Sequence, residues 1–304
     1  CRAACEEQGV ISTRVESGLR GRFARSSTTM DNIDLNARNN RGQTAFIGAC
    51  AYGQISIVRV LLSHPKIEVN KRDNKGWTAF MNACYNGHKD VVQLLLDNSG
   101  RIELNAIRNN KRTAFMYACD NGHKDVIKLL LEYADKIELN TRDNDGRTAF
   151  LIACRIGHKD VVQLLLENSN IDLKARDNRG DTAFMVACER GHKDVVKLIL
   201  GHSERIELNA RSGIGRTALM WACGNGHKDV IKLLLEHSDP NIDLNAKEHW
   251  GRTAFMDACH SGNKYVVQLL LDHSERIELN ASDEDTAFMG ACHEGHKDVV
   301  QLLL

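Results

Sequence analysis

The sequence predicts an all-α repeat solenoid of about eight units, and three observations carry that expectation. The phrase T-A-F-M-x-A-C-x-x-G-H-K-D-V-V-x-L-L-L recurs behind Thr44, Thr78, Thr113, Thr148, Thr182, Thr217, Thr253 and Thr286, at intervals of 33 to 36 residues. A fixed period in that range marks stacked copies of one supersecondary unit, not a single globular core. Each copy holds two short apolar segments. Their spacing is helical: Val161, Leu164 and Leu165 fall at i, i+3 and i+4 on one face. Proline is scarce, with two in 304 residues, and 42% of residues are hydrophobic, so residues 31–304 are not a disordered chain.

Residues 140–171 show one unit in order. Asn144, Asp145 and Gly146 form a turn that tolerates positive φ. Thr148 caps the short helix Ala149–Cys154. Gly157 ends that helix as a left-handed glycine. His158, Lys159 and Asp160 open a second helix, with the acid in the favourable first turn. Glu167, Asn168, Ser169 and Asn170 release the chain into Ile171, Asp172 and Leu173 of the next turn. Neither helix is long enough to persist alone in water. Each therefore has to bury its apolar stripe on its partner and on the adjacent unit, and small pairs such as Ala153-Cys154 permit close approach.

These motifs resemble the ankyrin repeat over residues 31–304. The resemblance rests on the hairpin glycine, the T-A-F-M-x-A-C helix, the G-H-K-D-V-V start and the L-L-L end followed by I-E-L-N. It implies a β-hairpin or turn plus two antiparallel helices per unit. The sequence departs from the family's T-P-L-H-x-A. Alanine replaces proline, and Met81, Met116, Leu151 and Met256 replace histidine, so apolar packing substitutes for a Thr–His tie. Residues 1–30 read as a degenerate N-terminal cap or partial repeat followed by the polar linker Ser26–Thr29. The eighth hairpin, Ala281–Asp285, has lost its glycine and reads as terminal decay. The chain starts at Cys1 and stops at Leu304 inside a helix, which reads as a piece of a longer protein with a truncated last repeat.

Composition excludes several function classes. Forty basic and forty acidic residues interleave in every unit, so no basic face for nucleic acid stands out. No apolar run approaches the length of a membrane span. Eight of ten cysteines occupy one repeat position, with spacing unsuited to zinc. They are expected to be buried, unpaired thiols in a reducing, cytoplasmic compartment.

No catalytic, cofactor-binding or metal-binding residues are assigned. His88, His123, His158, His192, His227 and His296 occupy one position that Gln54 and Asn263 fill elsewhere. An amide hydrogen-bonds but is no general base, so this position is structural. No Walker loop, G-x-S-x-G or H-E-x-x-H occurs.

What varies between units is then the candidate site. The resemblance implies that hairpin tips and one side of the first helix line a concave groove. Carried onto this chain, that implies Tyr117 and Trp221 at the x of M-x-A, and Tyr85, Arg155, Ile156 and Arg190 at the end of the first helix. Trp77 and Trp250 flank hairpin glycines. Tyrosine, tryptophan and arginine are enriched at binding hot spots. The x position also holds Gly48, Asn82, Asp257 and Gly290. Tyr117 and Trp221 are therefore expected to be substantially exposed, at a stability cost of about 1 kcal/mol or less when truncated. The expected function is a protein-binding scaffold. The alternatives are an anchoring or gating domain of a membrane protein and a substrate-recruiting module of a larger enzyme.

Overall fold

Eight threonines start eight helices. In each case Oγ1 accepts the backbone N–H three residues on, from Thr44–Ile47 (3.2 Å) to Thr286–Met289 (3.3 Å). This satisfies one of the orphan donors of a helix start. The computed structural model describes residues 33–237, 242–282 and 286–304. The cap and linker assigned to residues 1–30, and Asp283–Asp285 of the eighth hairpin, lie outside the described residues.

The helices come in pairs: α1 (Ala45–Ala51) and α2 (Ile55–Leu62), α3 (Ala79–Tyr85) and α4 (Lys89–Asp97), α5 (Ala114–Asp120) and α6 (Lys124–Glu132), α7 (Ala149–Ile156) and α8 (Lys159–Glu167). The second half continues with α9 (Ala183–Glu189) and α10 (Lys193–Leu200), α11 (Ala218–Gly224) and α12 (Lys228–Glu236), α13 (Ala254–His260) and α14 (Lys264–Leu271), α15 (Ala287–His293) and α16 (Lys297–Leu303). First helices pack on the first helices of neighbouring units, second helices on second helices, and each pair on itself. The core is accordingly one continuous layer. It contains Phe46, Phe80, Phe115, Phe150, Phe184 and Phe255, with Leu219 in the same role. Met81, Met116, Met185, Met220 and Met256 are buried with them, as the loss of the Thr–His tie requires. Phe288 departs from the set and is exposed: among the described residues α15, unlike α1 and the first helices after it, has no following first helix packed on it.

Hairpins are turns here, not strands. Among the described residues the only β pairings are the isolated bridges Arg176–Thr182 and Ser282–Thr286. Each described tip is closed on itself, as by Gly146 N–H to Asp143 O (2.9 Å). Five of the described tips also donate a backbone N–H to the tip before, as by Asn144 N–H to Asn110 O (3.0 Å) and Asn178 N–H to Asp145 O (2.9 Å). Tip glycines at 42, 76, 146, 180, 215 and 251 all take positive φ. The third tip has Lys111 there, at φ 59°, the single non-glycine residue with positive φ among the described residues.

Two side-chain ladders tie unit to unit. The six repeated histidines place Nε2 on a carbonyl near the end of the preceding unit's first helix, His88 to Ala51 (2.9 Å) and His123 to Tyr85 (2.7 Å) among them. That pattern requires Nε2 to donate its N–H to the carbonyl oxygen. The ring lies so close over the preceding turn glycine that a Cβ on Gly53 would stand 2.6 Å from His88 Nδ1. The second ladder is the asparagine of I-E-L-N. Asn70 donates to Arg101 O (2.8 Å) and accepts from Glu103 N–H (2.9 Å). Asn105 and Asn140 repeat the bridge one and two units on. Lys174 stands at this position in the fifth unit, and an ammonium has no acceptor with which to complete it.

Seven repeat-position cysteines are buried and unpaired, whereas Cys292 is exposed for the same reason as Phe288. Burial pushes the Cys50 and Cys259 thiols up to about 12. Thiol labelling of the native protein is expected to spare Cys119, Cys154 and Cys188, which label only in denaturant. Rapid native labelling of Cys154 would contradict the stacked core.

Lys111→Gly and Lys174→Asn are each expected to raise stability by about 1 kcal/mol, the first by removing left-handed strain, the second by restoring a bridged amide. Denaturant melts of both variants check this. Unchanged or lower midpoints would mean that neither position limits the array.

Candidate functional site

The hairpin tips and the first helices share one face, and the irregular side chains collect there in three groups. The first spans units one to three. Trp77 follows the second tip, Tyr85 ends α3, and Tyr117 lies mid-α5. Their rings meet at 4.4 Å (Trp77–Tyr117), 5.1 Å (Trp77–Tyr85) and 6.0 Å (Tyr85–Tyr117), the last two edge-to-face. Such pairings contribute beyond the area they bury. Arg108 covers the Trp77 ring at 4.9 Å and donates to the Tyr117 hydroxyl (3.3 Å), which itself donates to Asn110 Oδ1 (3.2 Å). Trp77 and Tyr85 line a cleft of about 590 Å³ together with Tyr52, Asn82 and Asn86.

Tyr117 corrects the sequence expectation: it is 3% exposed. The reason is stacking between units. Trp77 of the unit before and Arg108 of its own hairpin arm lie over it. The x position is open at Gly48 and Gly290, where a Cβ would meet nothing within 4 Å, and half-buried at Asn82 and Trp221. Mid-array, Ile152, Val186 and Asp257 at this position are all buried.

The second group is ionic and spans units three to five. Arg112 bridges Asp120 (2.8 Å) and Asp143 (3.1 Å), and Arg147 closes on Asp143 (3.0 Å) and on Asp145. Burial would raise the Asp143 pKa. The Arg147 backbone N–H, then the Arg147 and Arg112 guanidiniums, outweigh that and hold its carboxyl below the usual range. Arg155 and Arg190 both line a cleft of about 290 Å³. Ile156, the last residue of α7, is 38% exposed beside Arg155.

In the third group Trp221 is half-buried, not open as expected. Two guanidiniums cover its ring, Arg216 at 4.3 Å and Arg179 at 5.1 Å. Its indole Nε1 is buried without a partner. Arg216 also binds Asp257, whose burial nonetheless raises that carboxyl's pKa. Arg179 stands 2.7 Å from the buried Asp181 carboxylate, angled as an ion pair without a directed hydrogen bond. Trp250, 67% exposed, projects at the seventh tip into a small cleft shared with Ile214 and Arg216.

The structure thus joins Trp77, Tyr85 and Tyr117, joins Arg155 and Arg190, and links Trp221 to Trp250 through Arg216. Sequence reasoning missed Arg108, Arg112, Arg179 and Arg216, which hold these groups. They occupy hairpin positions that are charged in most units, so only their packing distinguishes them. Among the described residues no cluster of His, Cys, Asp or Glu has the arrangement to hold a metal ion, and no helix is long and apolar enough to cross a membrane.

A family model described as ankyrin repeats (3 copies) matches the chain at residues 27–108, 101–177, 169–248 and 238–304. A search of curated proteins found no match.

Tyr117→Ala is expected to destabilise the array by about 3 kcal/mol, as a buried aromatic does, whereas Trp250→Ala should change it by about 0.5 kcal/mol or less. Equal melts for the two would contradict this placement. Asp143 has a folded pKa below its unfolded value, so its contribution is present above the ordinary carboxylate range and lost as pH falls through the depressed value. The stability gap between wild type and Asp143→Asn should therefore be widest near neutral pH and close on acidification. A gap that does not change with pH would contradict the assignment.

Proposed function

Because the chain belongs to the ankyrin-repeat family, whose members are in general protein-interaction modules, we propose that this one is a scaffold that binds a partner protein on the face of its hairpin tips and first helices. The observation that carries the reading is the Trp77–Tyr85 pair. Edge-to-face aromatic contacts fix these rings, yet Tyr85 stays 40% exposed beside an open cleft. Rigid aromatic rings in a concave setting lose little entropy on binding and make effective anchors. Trp250, exposed on a tip, supplies a further contact at the other end of the same face. The repeated residues are committed to the stack through the histidine and asparagine ladders, which leaves recognition to the residues that differ between units. Seven buried unpaired thiols support a reducing compartment such as the cytoplasm.

The test is affinity capture with wild type, Tyr85→Ala and Trp250→Ala arrays whose melts coincide. A partner retained by wild type and lost by Tyr85→Ala, a decrease of about 2 kcal/mol or more in binding, is the expected result. A partner held equally by all three would place the interface elsewhere.

A further inference from the structure

The cleft between units four and five contains guanidinium groups that the protein does not itself neutralise. Of the arginines lining it, Arg147 closes on Asp143 and Asp145, and Arg179 pairs with Asp181 and Glu189. Arg155 and Arg190 have no such hold. The nearest carboxylate oxygen to Arg155 is on Asp120 at 4.0 Å, and that carboxylate is already bound by Arg112 at 2.8 Å. Arg155 Nε is buried with no hydrogen-bond partner. Arg190 reaches only Glu189, at 3.9 Å, a carboxylate shared with Arg179. A buried guanidinium N–H without an acceptor is costly, and two under-paired arginines facing one cleft of about 290 Å³ leave a place shaped for an anion.

We propose that Arg155 and Arg190 together bind a carboxylate side chain of the partner, so that the segment occupying the groove has an aspartate or glutamate at the fourth-to-fifth unit boundary. The inference rests on the groove reading above. Planar guanidiniums match carboxylates in paired N–H···O geometry. A monoanion also fits this cleft better than a phosphate dianion, because Asp145, Asp177 and Glu189 already line it and repel the second charge. The neighbouring guanidiniums point the same way: after burial, Arg147 is the largest influence lowering the pKa of Arg155, and Arg112 and Arg190 add to it. An incoming carboxylate relieves that repulsion.

The experiment selects a display library of random linear peptides on the wild-type array and, in parallel, on an Arg155→Gln/Arg190→Gln array. Wild-type selection is expected to fix an acidic residue at one peptide position, and the double variant to lose that preference. In a selected peptide, Glu→Gln at that position should weaken binding to wild type about tenfold or more and leave binding to the double variant unchanged. Because Arg190 is exposed, Arg190→Gln alone supplies the same comparison with the fold undisturbed. Selected peptides without a fixed acid, or an acid whose removal costs as much on the double variant, would overturn the proposal. Tighter binding of the same peptide with phosphoserine in place of glutamate would also overturn it. Binders that ignore both Tyr85→Ala and the arginine substitutions would overturn the groove reading itself, whereas binders sensitive to Tyr85→Ala but indifferent to acid would overturn this inference alone.

Discussion

Everything in this molecule depends on the contact between one helix pair and the next. Helices of seven to nine residues do not hold together alone. They persist because Phe150, Leu151 and Cys154 of one unit are buried against their counterparts before and after. Nearest-neighbour burial of this kind makes stability a sum over interfaces. It explains why one position carries one residue type down the chain. It also explains why the eighth unit, with no following first helix packed on it among the described residues, exposes Phe288, Met289 and Cys292 where earlier units bury them.

The polar ladders make that stack directional. A histidine ring closing on the preceding unit's carbonyl permits little beyond a hydrogen atom on the turn glycine beneath it. That one contact fixes two residues of the motif. The asparagine bridges do the same for the loops, joining groups 31 to 33 positions apart in Asn70 and Asn105. Lys111, in place of a tip glycine, and Lys174, in place of a ladder asparagine, depart from the repeat. They flank the Arg112–Asp143–Arg147 network, so the middle of the array combines its local weak points with its densest group of charges.

The sequence made the fold legible because each feature of the repeat is local. Threonine caps, turn glycines at positive φ and the alternation of apolar positions all lie within one unit, and each appears in the structure at its expected position. The site was legible in part. Tyr85 and Trp250 do reach solvent. Tyr117 does not, and no reading of its own unit reveals that, since Trp77 covers it from 40 residues earlier in the chain. The tolerance of its position for glycine misled for a physical reason: glycine occurs there in the first and last units, where nothing stacks over it. The arginines over Trp221 escaped notice likewise, because a charged residue in a hairpin reads as solvated until a ring is found beneath it.

The central claim is that exposed residues that interrupt the repeat on the face of tips and first helices bind, and that those that keep the repeat fold. Hydroxyl-radical footprinting of the array with and without a bound partner tests it most directly. Tyr85, on the face of tips and first helices, and Tyr265, on the second helix α14, both start exposed. The account predicts that a partner protects Tyr85 and Trp77 and leaves Tyr265 as reactive as before. Protection of Tyr265 with Tyr85 unchanged would contradict it and place recognition on the opposite helices.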